Sequence, residues 1–208
     1  ALSAMTAIDL GAEVTNSLFH SQAELKQQVQ SLFMGNVLSA NLGQAPARQV
    51  ALASGLPQTT RTTTINKVCA SGMKAIHLAA QEIQLGISQL VVAVGAESMS
   101  NVPFYAPLRS GHKFGHFSFT DGLLKDGLTD AYHGYHMGNA AETTVRKYGI
   151  SRPAQDRYAI ASYQKALSAT KSGKFNREIV AIDPIPGKGK DPVTSDEDIF
   201  KLKEEKVA

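Results

Sequence analysis

The chain is short of cysteine, of net charge and of long apolar runs, and each shortage excludes something. One cysteine among 208 residues rules out an intrachain disulfide framework and suits a reducing compartment. A formal net charge of +3 is too small and too dispersed to argue for nucleic acid as a partner. The longest apolar stretch, residues 90–96, falls far below the length that spans a bilayer, so no membrane partner is expected. The first residues are neither a signal peptide nor an Arg-rich transit peptide, as expected of a chain that begins inside a domain. There is no internal repeat. With 43% hydrophobic residues, however, the chain has enough material for a sizeable core.

That material is arranged as helical and strand-like segments in turn. Residues 4–19 carry Leu10, Val14 and Leu18 at helical spacing and predict an amphipathic helix. A strand follows at 29–37, closed by Gly35 and Asn36, then a helix at 45–53, ended by Gly55 and Pro57. The β-branched stretch 61–67 predicts a strand. The run 70–85 predicts a helix, apolar through Met73, Ile76, Leu78, Ala79, Ala80 and Ile83. Only Lys74, His77, Gln81 and Gln84 make a polar stripe, so burial between layers is expected. Residues 90–94 are continuously apolar, as in a strand covered on both faces. Such alternation predicts an α/β fold with a sheet layered between helices. From 103 to about 135 the periodicity fades into a long excursion of the kind that covers a site. Helices are predicted at 137–148 and 153–172, the second capped by Ser151 with Pro153 in its first turn. A late strand is predicted at 179–182, and the charged stretch 188–205 is expected to be mobile without a partner.

Cys69 stands where the strand 61–67 meets the helix 70–85. A lone cysteine is more often a small buried hydrophobe than a catalyst. A helix N-terminus changes that balance: its unpaired N–H groups and dipole favour the thiolate, the attacking species. Cys69 is therefore the candidate nucleophile. His77 is about two turns further along the same helix, roughly 12 Å away, too far to activate the thiol directly. His112, His116, His133 and His136 fall in the excursion. The Gly and Phe between His112 and His116 do not make a helix, and no metal site is expected. Glu97 reads as an internal salt bridge or cap. Phe104, Phe114, Phe117 and Phe119 read either as a cover over the site or as a small core of the excursion.

The words around these residues carry a resemblance. Val68-Cys69-Ala70-Ser71-Gly72-Met73-Lys74-Ala75 resembles the acyl-enzyme signature of the thiolase family. Gly43-Gln44-Ala45-Pro46-Ala47-Arg48-Gln49 and Gly95-Ala96-Glu97-Ser98-Met99-Ser100-Asn101-Val102-Pro103 resemble family segments around the early strands. Lys125-Asp126-Gly127-Leu128-Thr129-Asp130 and Tyr135-His136-Met137-Gly138, followed by Ala141-Glu142, are similar to its substrate-covering loop. The matches run in family order over nearly the whole chain. They look most like the biosynthetic acetyl-CoA acetyltransferase type, especially its mitochondrial acetoacetyl-CoA form. Val94, where the family often has glycine, and Ala96, where it often has methionine, depart from the pattern.

The resemblance implies the N-terminal βαβαβ-type half of a thiolase fold, a mixed sheet layered with helices, plus a loop domain, with the C-terminal half absent. On that reading residues 1–102 are the half-core, 103–178 the loop domain covering the active site, and 179–208 a late strand and tail leading toward the missing half. The implied reaction is Claisen condensation of two acetyl-CoA, or its reverse thiolysis, through an acyl-cysteine on Cys69, whose backbone N–H serves as an oxyanion donor. Leu128, His136 and Met137 match residues lining the pocket for thioester and pantetheine. The activating histidine and the second, acid/base cysteine of the family lie in motifs that do not occur here, so negligible turnover is expected of the 208-residue chain alone. No cofactor is implied beyond coenzyme A as part of the substrate, and potassium activation of the full-length enzyme stays open. A homodimer or homotetramer through strand 61–67 is implied, and the mitochondrial matrix is favoured over the cytoplasm. Two other readings stand beside this one. One is a degradative 3-ketoacyl-CoA thiolase of longer chains. The other is a non-catalytic truncated module that binds a thiolase partner.

Overall fold

The computed structural model describes residues 2–184 and 191–207. The chain divides into two compact units, Leu2–Thr129 and Asp130–Ala208.

In the first unit the elements run α1 (Ala7–Ser17), α2 (Ala23–Lys26), β1 (Ser31–Gly35), α3 (Pro46–Ala53), β2 (Arg61–Ile65), α4 (Ser71–Gln84) and β3 (Val91–Gly95). A short hairpin of β4 (Phe104–Tyr105) and β5 (Thr120–Asp121) follows. The main sheet has the order β2-β1-β3, all parallel, with Ser31 opposite both Arg61 and Val91. Parallel neighbours need a crossover, and α3 and α4 supply the two. The antiparallel pairing is confined to β4 and β5. Helices α1 and α3 pack on one face of the sheet and α4 on the other.

Central β1 is buried along its whole length. Leu32 and Met34 meet Ala47, Val50 and Ala51 of α3 and Val92 and Val94 of β3 in one apolar cluster. Full burial of Leu32, Met34 and Val50 contributes about 1.5–3 kcal/mol each. Helix α1 starts on a capping box in which the Thr6 hydroxyl accepts from the Asp9 N–H at 3.2 Å and Asp9 accepts from the Thr6 N–H at 2.8 Å. It buries Ala7, Gly11 and Thr15 rather than a stripe of Leu10, Val14 and Leu18. Small residues let it lie close to α3, while Leu18 is 61% exposed.

Two expectations of burial need correction. Helix α4 buries only Ser71 and Ala75 against the sheet, and Met73, Ile76 and Ile83 are exposed because no element of this unit covers its outer face. Strand β3 alternates, with Val92 and Val94 buried and Val91 and Ala93 half-buried: the α3 side is closed and the α4 side is not. Strand β2 is an edge, hydrogen-bonded only to β1 among the described residues.

The second unit contains α5 (Met137–Tyr148) and α6 (Arg152–Lys171). Ser151 caps α6 by accepting from the Ala154 N–H, and Pro153 lies in the first turn, where a missing N–H costs nothing. The strand expected at 179–182 is a single antiparallel bridge between Ile182 and Val193. Pro184, two residues on, has no N–H with which to continue the ladder. Of the charged stretch, residues 188–190 lie outside the described residues. The rest lies along α6 rather than free of partners: Gln164 donates to Glu204 at 2.8 Å and Arg152 to the Val207 carbonyl at 2.8 Å. Among the described residues no helix is long and apolar enough to cross a membrane.

Candidate active site

Between β2 and α4 the chain makes a tight turn, and the turn is strained. Val68 has φ +49°, a left-handed conformation that costs a β-branched residue of order 1–3 kcal/mol. Polar side chains hold it there. The Asn66 carboxamide oxygen accepts from the Val68 N–H at 3.0 Å. The Ser71 hydroxyl accepts from the Lys67 N–H at 2.8 Å and donates to the Val68 carbonyl at 2.6 Å. The next residue, Cys69, is exposed. Ala70, the N-cap of α4, offers no side-chain cap; the Ser71 N–H is taken by the Val68 carbonyl at 3.0 Å and the Ala70 N–H by the Lys67 carbonyl at 3.1 Å.

The close approach of β1 to this turn explains Gly35. A β-carbon there would lie 2.6 Å from the Gly72 nitrogen and from the Ser71 carbonyl carbon, both backbone atoms that cannot move aside. Only glycine at the end of the central strand lets the N-terminus of α4 sit against the sheet.

The result is a cavity of about 340 Å³ within the first unit, lined by Cys69, Leu38, Glu97, Met99, Leu123 and Leu128 among others. Gly95 and Ala96, at the end of β3, also reach it. Its walls are largely apolar, and its lining includes two chemical groups: a thiol beside a helix N-terminus, and a carboxylate. That carboxylate is already engaged. Glu97 accepts from the Asn36 side chain at 2.7 Å, the Leu38 N–H at 2.9 Å and the Val37 N–H at 2.9 Å. It caps the end of β1 and holds the loop that carries Leu38 into the cavity.

The structure thus brings Cys69 and Leu128 to one cavity. His136 and Met137 begin α5 in the second unit. The His136 Nδ1 accepts from the Gly138 N–H at 2.9 Å and caps the helix, while Met137 is its first residue and is 40% exposed. His77 is exposed on α4. His112 bonds the Gly115 carbonyl at 2.7 Å, and His133 lies 3.0 Å from Asp130. The backbone N–H of His133, its ring and the Tyr132 N–H hold the Asp130 carboxyl below its ordinary range. Among the described residues no three His, Cys, Asp or Glu side chains cluster as metal ligands would. Phe104, Phe114, Phe117 and Phe119 are all exposed, with Phe117 edge-on to Phe119 at 5.2 Å, so they build no buried core in this chain.

Sequence reasoning missed the parts that shape the turn. Asn66 and Ser71 read as ordinary polar residues. Their spacing of two before and three after Val68 is the signal, that of an Asx turn running into a hydroxyl-bonded helix start.

Comparison with known proteins agrees with this architecture. The chain superposes over its full length on the crystal structure of the Acat5 thiolase from Ascaris suum in complex with coenzyme A. The TM-score is 0.91 at 43% identity, and 52% of that chain is covered. It is 50% identical over 198 residues to the cytosolic acetyl-CoA acetyltransferase ERG10 of Gibberella zeae, covering 95% of this chain and 50% of the relative. It is 49% identical to acetyl-CoA acetyltransferase of Saccharomyces cerevisiae, over 99% of this chain and 53% of the relative. A mitochondrial acetyl-CoA acetyltransferase of Gibberella zeae is 44% identical over 98% of this chain and 47% of its own length. The chain therefore spans about half the length of these relatives. The family model of the thiolase N-terminal domain matches residues 1–207, and the chain belongs to the thiolase family.

Proposed function

We propose that the protein to which these residues belong is an acetyl-CoA C-acetyltransferase, with Cys69 as its acyl-accepting nucleophile. The observation that carries the reading is the position of Cys69: exposed, on a strained turn at the N-terminus of α4, and opening into a largely apolar cavity. The names of the relatives and the coenzyme A bound to the Ascaris enzyme support the substrate.

The chemistry follows from that placement. The Cys69 thiolate attacks the carbonyl carbon of acetyl-CoA, a new C–S bond forms, the old one breaks, and CoA leaves with the electron pair. Charge passes through the carbonyl oxygen, for which the Cys69 N–H at the start of α4 is the proposed donor. A second acetyl-CoA then loses an α-proton to a base, and its carbanion attacks the acetyl-cysteine. The C–C bond forms as the C–S bond to Cys69 breaks, which gives acetoacetyl-CoA and restores the thiolate. Reversal is thiolysis. Splitting the reaction at the thioester replaces one difficult step by two easier ones.

In this reading Leu128 packs against the acyl group, and His136 and Met137 line the pantetheine path. The histidine that activates Cys69 and the second acid/base cysteine belong to sequence outside these 208 residues. The edge of β2 is the proposed twofold contact of a homodimer or homotetramer, since an unpaired edge is a template for a second copy. The relatives' names span cytosol and mitochondrion, and the resemblance to the mitochondrial form favours the matrix. The test is thiolysis of acetoacetyl-CoA by CoA in a protein extended to the length of its relatives. Cys69→Ala should lower kcat at least about a thousandfold. A Cys69→Ala enzyme of near-normal rate would remove Cys69 from the mechanism.

A further inference from the structure

A π-helical turn, Leu124–Leu128, supplies part of the lining of the cavity that Cys69 also lines, and side chains of the β4–β5 hairpin tie it down. The Tyr105 hydroxyl donates to the Asp126 carboxylate at 2.5 Å. The ring lies on bare backbone: a β-carbon at Gly122 would stand 2.8 Å from Tyr105 Cζ and 2.9 Å from its hydroxyl oxygen, as well as 2.5 Å from the Pro103 carbonyl oxygen. Asp121, the last residue of β5, accepts from the Leu123 N–H at 2.8 Å and so starts the turn. The turn and its N-cap deliver Leu123, Gly127 and Leu128 to the cavity, and a β-carbon at Gly127 would stand 3.4 Å from the Leu38 side chain. A π-turn is a rare local geometry, frequently found at functional sites.

We propose that Tyr105 is a positioning residue: through Asp126 it fixes the Leu123–Leu128 wall and so sets the size of acyl group that fits beside Cys69. The tether is a short, charge-assisted bond to an ionised acceptor, the stronger kind of hydrogen bond. The same contact is felt by the phenol, whose pKa the Asp126 hydrogen bond raises above its ordinary value. Tyr105 is not among the residues that line the cavity and takes no part in the chemistry. The inference rests on the proposed acylation of Cys69 for its meaning, but its geometry can be read without it.

Alkyl methanethiosulfonates make that separation. The Cys69 thiolate attacks the sulfenyl sulfur, an S–S bond forms, and methanesulfinate leaves with the electron pair, whatever the protein's natural substrate. The measured quantity is the ratio of Cys69 modification rates for methyl and hexyl reagents, followed by intact mass. Tyr105→Phe and Asp126→Ala should each change that ratio by about threefold or more, with the methyl rate and the far-UV circular dichroism held. Asp126→Asn keeps an acceptor oxygen for the phenol and should return the ratio to within about twofold of the parent. Ratios that are equal in all four proteins would overturn the proposal. A changed ratio, together with no acetyl transfer from acetyl-CoA to Cys69 in a protein extended to the length of its relatives, would uphold the tether and reject the acyltransferase reading instead.

Discussion

The Ser71 hydroxyl donates to the carbonyl of Val68 at 2.6 Å, and Val68 is the left-handed residue immediately before Cys69. The same hydroxyl accepts from the Lys67 N–H, so one side chain closes the turn from both ends. Ser71→Ala would leave that N–H unpaired in a half-buried site and release a strained residue. The expected loss is about 1–3 kcal/mol in urea denaturation. Because the turn aims the thiol, iodoacetamide should also modify Cys69 at an altered rate, in a variant that still folds.

Glu97 predicts a larger effect through a different loop. Its carboxylate holds three donors from Asn36, Val37 and Leu38, and hydrogen bonds to charged groups contribute more than neutral ones. Glu97→Ala should cost about 3 kcal/mol or more in the same measurement. Glu97→Gln, which keeps one acceptor oxygen, should cost less. A Glu97→Ala variant as stable as the parent would mean that water replaces the carboxylate freely.

Much of this was readable from the sequence, and the part that was not has a physical reason. Segments whose neighbours are supplied locally came out as expected: α5 and α6 were read as helices, the second from its Ser151 cap and Pro153, and β1 and β3 are apolar runs ending in glycine. Helix α4 was expected to be buried because hydrophobicity reports what a residue prefers, not what this stretch of chain supplies, and Met73 and Ile76 stand exposed. Cys69 was singled out by its place at a helix N-terminus and by resemblance, and Leu128 by resemblance alone, but their sharing of a cavity depends on a π-turn that no helical or strand period encodes. The tilt of α1 onto Ala7, Gly11 and Thr15 was hidden for a related reason, since close packing of two helices favours small residues that a search for large apolar ones passes over.

At the far end of the sheet, Glu82 ties the stability of this unit to pH. Arg61 Nη2 lies 3.6 Å from its carboxylate, and the Ser88 hydroxyl donates to it at 2.7 Å. Partial burial opposes ionisation, but the hydrogen bonds from Ser88 and Ser31 and the Arg61 charge outweigh it and hold the Glu82 pKa below its ordinary value. A depressed folded-state pKa means that the stabilisation is present above the unfolded-state value near 4.5 and is lost as pH falls through the folded one. Denaturation midpoints measured from pH 7 to pH 3 should fall less steeply for Glu82→Gln than for the parent over the acidic end of that range. Parallel curves would show that this carboxylate does not report on folding.

The 208-residue chain by itself is expected to turn over negligibly, since the proposed base for the α-proton is not among the residues lining the cavity with Cys69. Thiolysis assayed on the purified chain checks this, and ordinary specific activity would contradict it.

Acyl transfer to Cys69 itself is the central claim, and intact mass of a protein extended to the length of its relatives, after incubation with acetyl-CoA, tests it most directly. The account predicts a gain of about 42 Da per chain, mapped by peptide sequencing to Cys69 and missing from Cys69→Ala. No adduct on the extended parent, or an equal adduct on its Cys69→Ala variant, would contradict it.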